Sequence, residues 1–187
     1  MRKILQKVKE IVQLHDKKFI KFISSEQIDE AVSVIAEQLN KDYAEEPPLI
    51  LVTLNGALVF AADLLKKLHF SSVLSCIKLS SYQGTASTNN MKTLIGLSED
   101  VKDKRVLIIE DIVDTGKTYE TLVALLNDEG AKEIRIATLT MKPDAYKLDL
   151  PVHYIGICIP DKFVVGRGLD YDGLGRNLND IYQLLAE

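Results

Sequence analysis

Residues 105–122 read RVLIIEDIVDTGKTYETL: the apolar run Val106-Leu107-Ile108-Ile109 leads into three carboxylates, Glu110, Asp111 and Asp114, and then into the turn Thr115-Gly116-Lys117-Thr118. A strand without polar alternation is what a central parallel strand, buried on both faces, requires. In open sheets of that kind ligands sit beyond the carboxyl ends of the strands, which is where Glu110 and Asp111 fall. The glycine turn precedes a helix with apolar positions Leu122, Val123, Leu125 and Leu126. Its backbone N–H groups, the hydroxyls of Thr115 and Thr118 and the positive end of the helix dipole make a cradle for a phosphate.

Two carboxylates beside such a cradle repel the phosphate unless they face groups that need acceptors, and a ribose diol is such a group. A sugar 5-phosphate satisfies the layout: phosphate on the turn, ring hydroxyls on Glu110 and Asp111, the anomeric carbon near Asp114. A metal ion suits the same oxygens. The plainer alternative is a solvated acidic loop capping a helix, which the apolar strand in front of it argues against. Gly116-Lys117-Thr118 also invites a Walker A reading, but that loop needs glycine where Asp111 stands, and a carboxylate there would lie against the phosphates.

The elements that must position these groups follow from periodicity. Residues 1–23 are ambiguous: Ile4, Leu5, Val8, Ile11 and Val12 fit a helical stripe, whereas Val12, Leu14 and Phe19 to Ile23 fit a hairpin; a short helix followed by strands is favoured. Ser24 and Gln27 have capping-box spacing, and Ile28, Ala31, Val32, Ile35, Ala36 and Leu39 recur at helical intervals, so a helix is expected to run from there and stop before Pro47-Pro48. Beyond the prolines the pattern predicts strand 49–54, helix about 57–68, strand about 72–81, strand 105–110, helix 118–128 halted by Gly130, and strands 134–139 and 154–159. Alternating strands and helices imply a parallel sheet covered on both faces. Gln83 to Lys92 is polar and aperiodic, as a mobile loop would be.

Composition bounds the rest. A chain of 187 residues, 47% hydrophobic, builds one substantial core and is too short for two ordinary domains. With 23 basic and 27 acidic side chains and a net charge of -4, it lacks the basic excess that a nucleic-acid or anionic-membrane partner calls for, so small solutes are the expected partners. Cys76 and Cys158 lie in apolar runs without a CxxC or Cys/His cluster and are expected to be buried thiols. The charged N-terminal stretch lacks the apolar core of a signal peptide, and a cytoplasmic setting is expected.

The segment IIEDIVDTGKT resembles the phosphoribosyl-pyrophosphate motif of the purine phosphoribosyltransferases, with the hypoxanthine (hypoxanthine-guanine) branch as the best fit, and further motifs in the same order extend the resemblance from about Ile23 to Tyr182. It implies an α/β, single-domain type I fold: a twisted, mostly parallel sheet flanked by helices, with a core of about 24–160, a small hood from the N-terminal segment and about 160–187, and a mobile lid loop. It implies that Glu110 and Asp111 hold the ribose hydroxyls, that Asp114 is the candidate general base, and that Thr115, Gly116, Lys117 and Thr118 bind the 5-phosphate. Lys142 in LTMKPD would hydrogen-bond the purine carbonyl oxygen; by itself it reads as an exposed strand-end lysine. In IPDKFVVGRGLDYDGLGR, Phe163 would stack on the purine, the main chain at Val164 would read the base edge, Asp170 would meet magnesium, and Arg176 would pair with pyrophosphate. In TLNGALVF, Leu54, Asn55 and Gly56 would form the pyrophosphate loop with a cis Leu54-Asn55 peptide, and Ser81 and Tyr82 would belong to the lid. Glu110, Asp111 and Asp170 are the candidate Mg2+ contacts.

The implied activity is transfer of the phosphoribosyl group to hypoxanthine or guanine, giving IMP or GMP and pyrophosphate, by a homo-oligomer (dimer or tetramer) without nucleic-acid or membrane partners. A xanthine-preferring enzyme and a non-catalytic phosphoribosyl-pyrophosphate-sensing regulator are the alternatives. Two departures stand out: Asn55, where many members carry lysine or arginine, and Arg167, where many carry tyrosine.

Overall fold

The computed structural model describes residues 10–81 and 91–185. It begins with an antiparallel hairpin, β1 (Ile11–Leu14) and β2 (Lys17–Ile23), in which Val12 faces Phe19. The favoured helical stripe is thus corrected at Ile11 and Val12, which are strand, while its earlier positions lie outside the described residues. Alternation decides the matter: Phe19 and Ile23 are buried and Ile20 and Phe22 are exposed, a period of two that only a strand can exploit. Helix α1 (Ser25–Asp42) starts as expected, with Gln27 N donating to Ser24 Oγ at 3.3 Å and Ser24 N to Gln27 Oε1 at 3.0 Å. It buries Ile28, Val32, Ile35, Ala36 and Leu39.

The chain continues through β3 (Leu49–Thr53), α2 (Ala57–Leu65), β4 (Leu74–Ser81), β5 (Met91–Ile95), β6 (Arg105–Val113), α3 (Lys117–Asp128), β7 (Glu133–Met141) and β8 (Tyr154–Cys158). These strands form one sheet in the order β5-β4-β3-β6-β7-β8, parallel throughout except for β5, which runs antiparallel to β4. Short strands β9 (Val164–Val165) and β10 (Ile181–Leu184) join the hairpin in a second sheet, β1-β2-β10-β9, over a small cluster of Phe19, Val165 and Tyr182. This is the α/β, mostly parallel type I architecture that the resemblance implied, and the small sheet is built from the two segments expected to form a hood.

Several boundaries differ from the sequence pattern. α2 stops at Leu65 and closes in turns, with Lys67 N bonding Leu64 O at 2.9 Å. Met91 and Lys92 belong to β5 rather than to a loop, because they return along β4; Tyr82 and the remainder of the expected lid, 82–90, lie outside the described residues. β6 runs three residues further than expected, so Glu110 and Asp111 are still within the sheet, Glu110 opposite Thr138 of β7. Cys158 is exposed and Cys76 only partly buried, contrary to expectation; Cys158 ends β8, which is an edge strand among the described residues.

Alternate residues of β6 feed two cores. Leu107 and Ile109 pack with Ile28, Val32, Phe60 and Leu64 from α1 and α2, whereas Val106 and Ile108 pack with Leu122 and Leu126 from α3. Burying these side chains on both faces, at about 25 cal/mol per Å² of apolar area, holds β6 in the middle of the molecule with its carboxyl end open. Among the described residues no helix is long and apolar enough to cross a membrane.

Candidate active site

At the carboxyl end of β6 the chain opens two adjoining cavities. One, of about 190 Å³, is lined by the Asp114–Thr118 turn, the start of α3 and Glu110. The other, of about 200 Å³, is lined by Thr53 to Gly56, Glu110, Asp111 and Arg176. Glu110 and Thr118 line both and form the partition between them. Gly116 caps α3 with φ of 84° and no side-chain hydrogen bond, which leaves the first-turn amides of the helix uncapped and facing the first cavity. That arrangement suits a phosphate dianion.

The carboxyls in the partition are perturbed. Burial pushes Glu110 well above the usual carboxylate range, and the neighbouring Asp111 charge pushes it further. Burial also raises Asp111, against the opposing effects of the Ile112 amide, which donates to its Oδ1 at 3.0 Å, and of the Arg176 charge. Asp111 Oδ2 rests against the α-carbon of Gly56, occupying the space where any side chain at 56 would begin. The Leu54-Asn55 peptide is cis, Leu54 N donates to Ile77 O at 2.8 Å, and Asn55 is exposed at the cavity rim. Ser81 ends β4, the strand beside β3.

Lys142, expected at a strand end, is buried there rather than exposed. Its amide bonds Val113 O at 2.9 Å, so it stands beside the end of β6, and its Nζ donates to Asp114 Oδ2 at 2.7 Å and Asp161 Oδ1 at 3.2 Å. Desolvation lowers the ammonium pKa, but the two carboxylates outweigh it and the net shift is upward. Phe163 is 46% exposed, with its ring edge-on to Tyr171 at 5.9 Å between centroids. The next residue, Val164, is fixed in β9 opposite Gln183. Arg176 donates through Nη1 to Gly168 O and through Nη2 to Asp170 Oδ1, both at 2.7 Å, while Asp170 Oδ2 accepts from the Gly173 amide at 2.7 Å.

The two cavities and the Lys142-Asp114 couple thus gather Leu54, Asn55, Gly56, Glu110, Asp111, Asp114 to Thr118, Lys142 and Arg176, with Asp170 joined to them through Arg176. Val164 lies in the small sheet, and Phe163 directly precedes β9, its carbonyl accepting from Leu184 N at 2.9 Å. Sequence reasoning missed Asp161, two residues before Phe163, and Thr53 and Leu79 in the second cavity. The acid next to Lys162 in IPDKF was the signal available for Asp161; nothing in the sequence pairs it with Lys142.

Comparison with known proteins bears on this arrangement. The phosphoribosyl transferase domain family matches residues 24–172. A hypoxanthine-guanine phosphoribosyltransferase of Staphylococcus epidermidis is 39% identical over 166 residues, 88% of this chain and 93% of that one, and one of Staphylococcus aureus is 37% identical over the same shares. Among solved structures, a hypoxanthine-guanine phosphoribosyltransferase from Bacillus anthracis superposes with a TM-score of 0.82 at 34% identity, covering 88% of this chain and 98% of that one. A hypoxanthine phosphoribosyltransferase from Staphylococcus aureus does so with a TM-score of 0.81 at 38% identity, covering 88% and 90%. With the motif of β6 and α3 on the same scaffold, this chain belongs to the phosphoribosyl transferase family, as its resemblance to the purine phosphoribosyltransferases implied.

Proposed function

We propose that the chain transfers the 5-phosphoribosyl group of phosphoribosyl pyrophosphate to hypoxanthine and guanine, yielding IMP or GMP and pyrophosphate, a purine-salvage reaction. One observation carries this reading: two cavities, one rich in helix-terminal amides and one holding Arg176, share a partition that bears Glu110. A substrate with a phosphate at one end, a pyrophosphate at the other and a diol between them matches that order of groups. Neither the xanthine-preferring nor the regulatory alternative is favoured by the relatives.

In this scheme the amides of 115–118 take the 5-phosphate, and Glu110 and Asp111 accept from the ribose hydroxyls. The loop Leu54–Gly56 and Arg176 receive the pyrophosphate, for which Arg176 exchanges its contact with Asp170. The purine stacks on Phe163, meets main-chain groups at Val164, and accepts from Lys142 at its 6-oxo group. The bond formed joins a purine imidazole nitrogen to the anomeric carbon; the bond broken joins that carbon to a pyrophosphate oxygen; the nitrogen's proton passes to Asp114. Positioning and charge stabilisation supply most of the rate.

Among the described residues no group of three or more His, Cys, Asp and Glu side chains is arranged to hold a metal alone. Mg2+ needs no such group, because it binds through one or two carboxylates with substrate oxygens and waters completing its shell. Glu110, Asp111 and Asp170 are the carboxylates among which its one or two protein contacts would fall, and the ion would neutralise charge on the pyrophosphate. The same proposal takes 1–187 as one catalytic unit acting in the cytoplasm as a homo-oligomer, dimer or tetramer.

The test is an assay of purified protein with phosphoribosyl pyrophosphate, Mg2+ and, separately, hypoxanthine, guanine, xanthine and adenine. Nucleotide and pyrophosphate are expected with the first two bases; their absence from all four reactions ends the proposal. Asp114→Asn is expected to lower kcat while leaving phosphoribosyl-pyrophosphate binding close to wild type, and unchanged kcat would exclude a proton-accepting role.

A further inference from the structure

Arg167 has no part in the scheme above, yet its side chain is tied to carboxylates on two helices. It is a non-glycine residue in the left-handed region, with φ of 51°. Its side chain is 10% exposed, and Nη2 lies 2.8 Å from Asp29 Oδ1 on α1 and 2.7 Å from Asp63 Oδ2 on α2. Nη1 donates to Asn179 O at 3.4 Å, and Nε is buried without a hydrogen-bond partner among the described residues. Withdrawing a guanidinium from water is unfavourable, and its return here is geometric: a planar, permanently charged group that fixes one loop against two helices.

That loop carries the pyrophosphate side of the site. Arg167 N bonds Leu178 O at 2.9 Å, and the next residue, Gly168, bonds Arg176 O through its amide at 3.0 Å. The Gly168 carbonyl accepts from Arg176 Nη1 at 2.7 Å, and its α-carbon lies against the Gly56 carbonyl, so that a side chain at 168 would collide with it. One residue therefore separates the Arg167 anchor from both walls of the second cavity, Arg176 on one side and the Leu54–Gly56 loop on the other.

We propose that Arg167 is a positioning residue for the pyrophosphate subsite: by tying loop 166–176 to Asp29 of α1 and Asp63 of α2, it sets where the Gly168 carbonyl holds Arg176 against the 54–56 loop. This deepens the proposed function and rests on it for the identity of the ligand.

The test is calorimetric titration of the folded full chain with pyrophosphate in the presence of Mg2+, a readout independent of turnover, alongside steady-state kinetics. Arg167→Gln is expected to weaken pyrophosphate binding and raise KM for phosphoribosyl pyrophosphate by about tenfold, as loss of an outer partner of a binding group typically does, with KM for hypoxanthine within about twofold of wild type. Arg167→Lys, which keeps the cation, is expected to recover most of the loss. Should Arg167→Gln fold poorly, Asp29→Asn supplies the same test, because Asp29 is 60% exposed and its loss disturbs no core; about two- to threefold weaker pyrophosphate binding is expected. Wild-type pyrophosphate affinity in both variants, or a uniform rise of both KM values, overturns the inference. Pyrophosphate binding that depends on Arg167 in a protein that transfers to none of the four bases would refute the proposed activity and leave the inference standing.

Discussion

Gly116→Ala tests the phosphate cradle most sharply, because the structure separates its two costs. An alanine at φ of 84° carries a left-handed penalty of about 1–2 kcal/mol. Its Cβ would also stand 2.5 Å from the Tyr146 ring and 2.7 Å from Leu148 Cδ1, where ordinary carbon contacts are about 3.5–4.0 Å. Overpacking of that kind adds about 1–3 kcal/mol, for a total of about 2–5 kcal/mol. The other end of α3 provides the control. Gly130 has φ of 79°, but a Cβ there meets only Lys102 Cγ, at an ordinary 3.5 Å, so Gly130→Ala carries the conformational penalty alone, about 1–2 kcal/mol.

Urea denaturation of the two variants therefore gives the packing cost by difference. If the turn shifts to relieve the clash, its amides leave the phosphate. A displacement near 1 Å lowers kcat/KM for phosphoribosyl pyrophosphate by up to about 10²-fold in Gly116→Ala, with Gly130→Ala at wild-type activity. Equal stability losses in the two variants, together with unchanged kcat/KM in the first, would refute both the packing argument and the cradle.

Three further outcomes follow from the same geometry. Lys142→Met should lower kcat/KM for hypoxanthine by about 10–100-fold, the worth of a charge-assisted hydrogen bond, with the thermal midpoint near wild type, because Asp114 and Asp161 are 42% and 65% exposed and water can take the lysine's place; a large drop in midpoint with normal kinetics would contradict this. The raised Glu110 and Asp111 carboxyls lend stability that is complete below the ordinary carboxylate range and lost as pH rises through their folded values, so Glu110→Gln should flatten the pH dependence of the thermal midpoint above about pH 4, and superimposable profiles would exclude the effect. Ile108→Ala, at a fully buried position of β6, should cost about 2–5 kcal/mol in urea denaturation, and a loss below about 1 kcal/mol would show that β6 is not central to the core.

What the sequence disclosed was whatever local chemistry dictates. The unbroken Val106 to Ile109 run can serve only a strand covered on both faces, the Ser24 and Gln27 side chains can satisfy the first amides of α1 without any tertiary help, and acids followed by a glycine turn announce their ligand by composition. What stayed hidden depends on strand order. Cys158 is exposed because β8 is an edge, and Lys142 meets Asp114 because β7 lies beside β6. The hairpin at 11–23 and the strand at 91–95 carry too few alternating residues to outweigh a helical or polar reading until their partners are in place. Arg167 was visible as a departure from the family pattern, but its tie to Asp29 and Asp63 is a meeting of three distant segments.

Two of the cations that the proposed substrate would meet, Lys142 and Arg176, each stand 2.7 Å from a carboxylate oxygen. Seen from bulk solvent Arg176 with Asp170 is a short dipole, and Lys142 between Asp114 and Asp161 carries no excess positive charge, so neither projects the field of a lone cation. Unrelated polyanions passing the mouth of the cleft meet little long-range pull from these two side chains. Engagement of Lys142 and Arg176 by phosphoribosyl pyrophosphate is then governed by partner exchange at close quarters, and long-range steering of the substrate falls to the exposed Lys117 of the phosphate turn.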